Sequence, residues 1–429
     1  MQQMTNNYRA AASAPLLVAA SLLLAACAEP ATEAEPVQEA APPAPASTAT
    51  AYTGARVIVG NGEVVENATF VVDNGEFTAV GAAGAVTVPA GAAQVDLSGQ
   101  TVMPMILDSH VHTSLDPDAL VIDLQRRAVM GVSAALSMGR DAYDELLAVR
   151  DNPPPMAARF RTAGRGISRP EPGRPTEPHW IDTPDEAREA VRTEAARGVD
   201  IIKVWVDDRD GQYPKITPEL SAAIVDEAHQ QGLTVAAHIF TLDDGKDLVE
   251  VGIDVFAHGV RDRDIDDEFV EAVQARPGLI MIPNLAERGV PTDLSWLEGL
   301  MPADELAAAQ AENVMDAELQ EGYGIQARNL ARLAAETELR IAMGTDGNTY
   351  WGAHVEMEDM VVAGMSPADV LVAATSVGAE VLGIDNAGSV ETGKYADFIV
   401  LEANPLDDIT NTRQIADVYF GGQVVDRTL

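Results

Sequence analysis

The pattern of apolar and polar positions divides this chain of 429 residues into two β-rich ends and a mixed middle. Between residues 55 and 95, short apolar β segments are separated by Asn61-Gly62 and Asp73-Asn74-Gly75, which are typical of hairpin turns. Residues 396–401 and 417–425 repeat the pattern near the C-terminus. We therefore predict one small β-sandwich domain built from both chain ends, residues 52–103 plus 386–429.

The middle of the chain alternates apolar strand segments with amphipathic helical segments. Eight strands that alternate with helices are the pattern of a (β/α)8 TIM barrel, which we predict for residues 104–385. A doubly wound open sheet is the alternative, but it usually has a Gly-rich phosphate turn after its first strand, and the sequence has none there. The segment 285–335 is longer than one strand–helix unit of a barrel needs, so we predict an inserted helical pair there. The predicted strands end near His112, Met138, Gly164, Val206, His238, His258, Asn284 and Asp346.

The first 51 residues follow neither pattern. An apolar stretch, residues 11–26, is too short to span a membrane, which takes about 20 apolar residues. With Cys27 after it, this segment resembles a bacterial lipoprotein signal peptide, which implies that residues 1–26 are removed and that Cys27 carries lipid. The alternative is an ordinary secretory signal. The resemblance implies a cell-envelope protein, lipid-anchored and facing the periplasm, at the outer rather than the inner membrane. Residues 27–51 are rich in Pro, Ala and Glu and predict a disordered tether.

Composition limits the partners of the folded part. The chain has 67 acidic and 28 basic residues, a formal net charge of −39. Such a surface repels nucleic acid and anionic lipid, so we exclude both, and we expect membrane contact only through the N-terminal lipid. Cys27 is the only cysteine, so no intrachain disulfide can form.

Residues that commonly bind metals recur at the predicted strand ends. His110 and His112 are two positions apart in an extended segment, so both side chains point to the same face. His238, His258 and Asp346 each end a later strand, and the carboxyl ends of barrel strands meet at one face. Each residue alone has a simpler interpretation, as a hydrogen-bonded core histidine or as a turn aspartate. Their recurrence at successive strand ends favours a metal site.

Lys203 lies inside the apolar strand segment 201–206. A buried ammonium group costs several kcal/mol unless it is paired or neutralised. A buried ion pair is one solution. Reaction with CO2 to give an anionic carbamate, which can bridge two cations, is the other.

Taken together, these residues resemble the amidohydrolase superfamily, in particular its binuclear members with a carboxylated lysine. Residues 226–238 and 343–346 are similar to the imidazolonepropionase-like and Xaa-Pro dipeptidase-like branch, and residues 387–400 are similar to that family's return to its small β domain. The resemblance implies two divalent metal ions, with Zn2+ as the expected metal. It implies that His110 and His112 hold the buried ion, that carboxylated Lys203 bridges both ions, that His238 and His258 hold the exposed ion, and that Asp346 binds the buried ion.

The same resemblance implies a hydrolase that cleaves a C–N amide bond. A hydroxide that bridges the metals would attack the carbonyl, and Asp346 would carry the proton to the leaving amine. We expect a small amide substrate, either a dipeptide or an N-acyl amino acid. Cyclic amides or lactones are the alternative substrates, and a non-catalytic, ligand-binding lipoprotein is a third possibility. Relatives often self-associate, so a homo-oligomer is expected.

A peptidase that releases a C-terminal residue needs a partner for the free carboxylate. Tyr213 follows the metal lysine where the dipeptidase-like branch has a substrate-facing tyrosine, so we predict that it binds substrate. A packing tyrosine at a turn is its alternative role. The other candidates for the carboxylate are Arg209, Arg169, His179 and His354.

Overall fold

The structure is a computed structural model that describes residues 47–173, 178–209, 211–285 and 288–428. The predicted signal peptide, Cys27 and most of the predicted tether lie outside these residues. The predicted tether ends at residue 51, but the first strand already begins at Thr50, and Ala51 is fully buried within it. In the part of the chain that the structure describes, no helix has the length and apolar character needed to span a membrane.

Both chain ends contribute strands to one eight-stranded sheet. Its strands are β1 (Thr50–Ile58), β2 (Val64–Asp73), β3 (Glu76–Ala82), β4 (Ala93–Asp96), β5 (Thr101–Pro104), β16 (Phe398–Leu401), β17 (Ile415–Phe420) and β18 (Gln423–Val424). The order is β18-β17-β16-β5-β1-β2-β3, with β4 beside β1. β16 lies antiparallel to β5, with Phe398 opposite Pro104, so the C-terminal segment completes the sheet that the N-terminal segment begins.

This sheet is strongly coiled, which corrects the prediction of a sandwich of two sheets. Phe77 in β3 and Phe398 in β16 are four strands apart in the order, and neighbouring strands are spaced by about 4.8 Å. In a flat sheet their rings would be roughly 19 Å apart, but the centroids are separated by only 5.8 Å. Tyr52, Phe70 and Tyr419 pack with them in one aromatic core. One sheet thus folds onto itself and encloses the core that two sheets were expected to enclose.

The middle of the chain forms two parallel sheets. The three-stranded sheet, in the order β6-β7-β8, consists of β6 (Ile106–Val111), β7 (Val132–Ser137) and β8 (Arg159–Thr162). The seven-stranded sheet, in the order β10-β9-β11-β12-β13-β14-β15, consists of β9 (Ile167–Ser168), β10 (His179–Trp180), β11 (Ile202–Trp205), β12 (Val235–His238), β13 (Val255–Ala257), β14 (Ile280–Ile282) and β15 (Arg340–Ile341).

Backbone hydrogen bonds link the edges of these two sheets. Ser109 N–H donates to Met343 O at 3.0 Å, which joins β6 to the segment after β15. On the other side, Asp200 N–H donates to Thr162 O at 2.9 Å, which joins β8 to the start of β11. The strands therefore follow the sequential order of a (β/α)8 barrel, although their hydrogen-bonded ladders form two sheets rather than one continuous ring.

Helices separate the central strands and bury their apolar faces against them. Four described helices begin with a capping Ser, Thr or Asp followed by Pro, as Thr183-Pro184 does, because the side-chain oxygen satisfies an end N–H and Pro suits the first helical position. The predicted helical pair is confirmed as α7 (Ala303–Glu312) and α8 (Ala317–Glu336). The helices are α1 (Pro117–Val129), α2 (Asp144–Asp151), α3 (Pro184–Arg197), α4 (Pro218–Gln230), α5 (Leu242–Val251), α6 (Asp267–Gln274), α7 (Ala303–Glu312), α8 (Ala317–Glu336), α9 (Ala353–Val362), α10 (Pro367–Val372) and α11 (Gly378–Val381).

Candidate metal centre

Three imidazoles converge on the carboxylate of Asp346 at the carboxyl ends of the central strands. Nε2 of His110 and Nε2 of His112 lie 3.1 and 3.0 Å from its Oδ1. Nε2 of His258 lies 3.5 Å from its Oδ2. His110, His258 and Asp346 offer ligand atoms that are all within 4.8 Å of one another. The structure therefore brings together four of the six predicted metal ligands at the ends of β6, β13 and β15.

The other two predicted ligands border this cluster. The His238 ring at the end of β12 contacts the His258 ring edge-on, with centroids 4.5 Å apart. Lys203 is buried in β11. Besides burial, the charge of Lys203 lowers the pKa values of both His110 and His238.

The buried surroundings favour the forms of these side chains that bind metals. Burial, followed by the charge of Lys203, lowers the pKa of His110 to about 4. Burial also holds the pKa values of His238 and His258 well below the ordinary range. Burial alone would raise the pKa of Asp346, but the neighbouring imidazoles outweigh it and lower that pKa. Neutral imidazoles and an ionised carboxylate are the ligand forms, so this set of donors fits a divalent metal ion.

Asn284, which follows β14, orients the ring of His110. Its Nδ2 donates to Gly344 O at 2.6 Å, which leaves its Oδ1 facing Nδ1 of His110 at 2.8 Å. An amide oxygen only accepts hydrogen bonds, so Nδ1 of His110 carries the proton and Nε2 keeps its lone pair toward the site. In the sequence, Asn284 stands at a predicted strand end, and no role was predicted for it.

Asp108 fixes the segment that carries Asp346 to β6. Its fully buried carboxylate accepts from the N–H of Thr345 at 3.0 Å and from the Thr345 hydroxyl at 2.9 Å. Nη1 of Arg127 lies 3.2 Å from the same carboxylate and balances its charge. No role was predicted for Asp108 from the sequence, because β6 has a register irregularity between Asp108 and Val111 that a linear pattern does not reveal.

The backbone is strained where several of these residues leave their strands. Asn284, His258 and Asp346 have φ values of 43°, 93° and 54°. Residues other than glycine rarely adopt such angles, and each costs on the order of 1–3 kcal/mol. Strain of this kind persists where the surroundings hold it, and it concentrates at functional sites.

A cavity of about 620 Å³ opens beside the cluster on the His238 side. This volume suits a small organic molecule. Its walls come from the loops that follow β11, β12 and β13. The lining residues are Asp207, Asp208, Arg209, Gly211, His238, Phe240, Thr241, Asp244, Arg261 and Asp262.

The residues predicted to bind substrate lie in different places. Arg209 lines the cavity, where it pairs with Asp207 and with Glu171. Tyr213 is half-buried on the same loop and is not among the lining residues; its N–H donates to Asp208 O at 3.0 Å. A substrate-binding role for Tyr213 stays a prediction.

The remaining candidates for a substrate carboxylate are engaged elsewhere. Nε2 of His179 lies 2.7 Å from Glu194, and Arg169 lies 3.0 Å from Asp182. The prediction for His354 is wrong. It is buried 2.9 Å from Met130 O, just before β7 begins, and therefore packs at the amino ends of the strands, opposite the cluster.

The chain belongs to the amidohydrolase family, whose sequence profile matches residues 101–425. Membership implies a TIM barrel with an additional domain, and members of the family generally bind divalent metals. The protein is therefore a hydrolase of the amidohydrolase type, which sets aside a non-catalytic binding role, while the lipid anchor stays a prediction.

Solved structures and curated proteins agree with this assignment. A candidate prolidase from Bifidobacterium longum is 27% identical, with a TM-score of 0.72 over 90% of this chain and 96% of that chain. A Xaa-Pro dipeptidase with bound methionine has the same fold, with 22% identity and a TM-score of 0.70 over 88% of this chain and 99% of that chain. Ochratoxinase of Aspergillus niger is 26% identical over 288 residues, which are 60% of this chain and 53% of ochratoxinase.

Proposed function

We propose that this protein is a metal-dependent hydrolase that cleaves the C–N amide bond of a dipeptide or an N-acyl amino acid. The observation that carries the proposal is the convergence of His110, His112 and His258 on the carboxylate of Asp346, at strand ends that open onto a cavity. The chain's similarity to a candidate prolidase and to ochratoxinase supports an amide as the substrate.

Each predicted ligand has a place in this proposal. His110, His112 and Asp346 would hold one divalent ion, and His238 and His258 would hold a second, with Lys203 as a carbamate between them. Imidazole and carboxylate donors suit Zn2+. When bound, two such ions lower the pKa of a water molecule and polarise a carbonyl group.

The protein's own residues then move the proton. The ionised carboxylate of Asp346 accepts a proton from the water that attacks the carbonyl carbon. It returns the proton to the amide nitrogen as the C–N bond breaks and the amine leaves. Asp108 and Thr345 hold the Asp346 segment against β6, and Asn284 holds the His110 ring, so the reacting groups are fixed before substrate arrives.

Two substitutions test the proposal. Lys203→Ala should lose metal and activity together. Asp346→Asn should keep at least one metal ion per chain but lose turnover by about 10²–10⁴-fold, because the proton acceptor is gone. Metal content is measured by mass spectrometry, and turnover is measured on a panel of N-acyl amino acids, dipeptides and lactones.

Asp264→Asn serves as the matched control, since it removes an exposed carboxylate that pairs with Arg328 outside the site. Equal turnover by Asp346→Asn and the parent protein at matched metal content would reject the assigned role. Turnover of lactones alone would favour the cyclic alternative over an open-chain amide.

A further inference from the structure

Arg261 lies at the boundary between the metal centre and the cavity. It follows His258 on the loop after β13, and its Nη2 is 3.5 Å from Nε2 of His238 and 3.3 Å from Ile239 O. Its guanidinium also lies over the ring of Phe240, 5.2 Å from the centroid. The charged group is thus held in place beside a predicted metal ligand and faces the cavity.

The carboxylates of the cavity wall are already bonded to other groups. Four acidic residues line the cavity. Arg209 pairs with Asp207, Lys215 Nζ lies 2.6 Å from Asp244, Arg263 lies 2.7 Å from Asp262, and the Gly211 N–H donates to Asp208 at 3.0 Å. Each of these four carboxylates therefore already has a hydrogen-bond or ion-pair partner.

Arg261 differs from the other basic residues around the cavity. Among the described residues, no carboxylate oxygen lies within 4 Å of its guanidinium, and its buried Nε has no hydrogen-bond partner. A guanidinium presents its donors as a planar fork that matches the two oxygens of a carboxylate. The charges of Asp346 and Asp207 act on this guanidinium only from beyond contact distance, so its donors suit an anion supplied by the ligand.

We propose that Arg261 binds the α-carboxylate of the substrate and so selects amides with a free carboxylate next to the scissile bond. This inference rests on the proposed function. The position of Arg261 indicates the carboxylate next to the scissile bond, because the guanidinium contacts the ring of His238, a predicted metal ligand. An anion bound there lies close to the reacting carbonyl. In an N-acyl α-amino acid only the nitrogen and one carbon separate the two groups, whereas a side-chain carboxylate lies farther away.

The test compares two amides that differ only in the carboxylate. N-acetyl-L-leucine and N-(3-methylbutyl)acetamide contain the same scissile bond and the same apolar group. Arg261→Met should lower kcat/KM for N-acetyl-L-leucine by about 10- to 100-fold, the usual effect of a lost charged hydrogen bond, with most of the change in KM. It should leave hydrolysis of the carboxylate-free amide within about threefold. Arg261→Lys should fall between, since it keeps the charge and loses the fork.

Arg328→Met is the matched control, because it removes an exposed guanidinium that pairs with Asp264 outside the cavity. It should change neither substrate's kinetics. Equal losses on both substrates in Arg261→Met, or no loss on either, would overturn the proposal.

Binding without turnover separates this inference from the proposed function. Calorimetric titration of N-acetyl-L-leucine into metal-loaded Asp346→Asn protein should give a Kd at least about tenfold weaker when Arg261→Met is added. That result would support Arg261 even if no amide in the panel were hydrolysed, in which case only the proposed function fails. Equal Kd values, or no binding to the protein that retains Arg261, would overturn the inference.

Discussion

Asn284 holds the His110 ring through one hydrogen bond, and the consequence can be measured as metal affinity. Asn284→Ala leaves Nδ1 of His110 without its acceptor, so the ring can turn and change tautomer. Loss of such a partner typically costs 10- to 100-fold in metal affinity, so we expect a Kd higher by about that factor. Chelator competition measures the Kd, and the melting temperature of the metal-free protein shows whether the fold survives.

Asn152→Ala is the control for this change, because Asn152 is exposed and, in the described part of the chain, its side chain bonds only to Ala148 O. It should bind metal like the parent protein. If Asn284→Ala also bound metal with unchanged affinity, the orienting role assigned to Asn284 would be incorrect.

At the residue scale, the sequence predicted the residues that cluster at the strand ends better than the residues that position them. His110 and His112 share a strand face and the other ligands end apolar strands, and both features are visible in a linear pattern. Asn284 acts through a residue 174 positions away, and an isolated amide has no distinguishing pattern. Arg261 depends on which loops meet around the cavity, so no local signal separates it from Arg209. His354 was predicted at the wrong end of the barrel, because the sequence of α9 does not show which end of the strands its histidine contacts.

At the scale of elements, the close approach of β6 to the segment after β15 depends on Gly344. A Cβ at this position would lie 2.6 Å from Cγ2 of Ile282 and 2.8 Å from the backbone nitrogen of His110. Gly344→Ala must therefore push the two segments apart, which costs on the order of 1–3 kcal/mol. We expect a melting temperature lower by several degrees and, because Asp346 moves away from His110, metal binding weakened by more than about tenfold.

Gly347→Ala provides the comparison within the same loop, since a Cβ there would meet its nearest atom at an ordinary 3.7 Å. Calorimetry with and without Zn2+ measures both effects. A Gly344→Ala protein as stable and as metal-competent as Gly347→Ala would show that close packing at Gly344 is not required.

Helices were predicted correctly where apolar positions recur with the helical period over the length of a typical helix. The amphipathic stretches 184–197 and 218–231 became α3 and α4, and the helical insert became α7 and α8. The two-residue strand β10 was not predicted, because it consists only of pairing between His179-Trp180 and β9. Alternation also shows which face of a strand is buried but not which strands pair, so a single coiled sheet could not be distinguished from a sandwich.

At the scale of the whole molecule, the excess of acidic residues makes stability depend on salt. A net charge of −39 means that repulsion among carboxylates opposes compaction. Salt screens this repulsion, since the Debye length falls from about 30 Å at 0.01 M to about 3 Å at 1 M. This expectation follows from the sequence alone, because it depends on the charge balance and only weakly on the fold.

We therefore expect the melting temperature to rise by several degrees as NaCl increases from about 0.01 to 0.5 M. Replacing Glu250, Glu271, Glu312 and Glu321 with Lys removes exposed acidic groups that form no ion pair among the described residues. This variant should melt at a higher temperature in low salt and respond less steeply to added salt. Replacing the same four residues with Asp keeps the charge, so its slope should match that of the parent protein even if helix propensity lowers its melting temperature. Equal slopes for the Lys and Asp variants, measured by scanning calorimetry, would show that local contacts rather than overall charge set the response to salt.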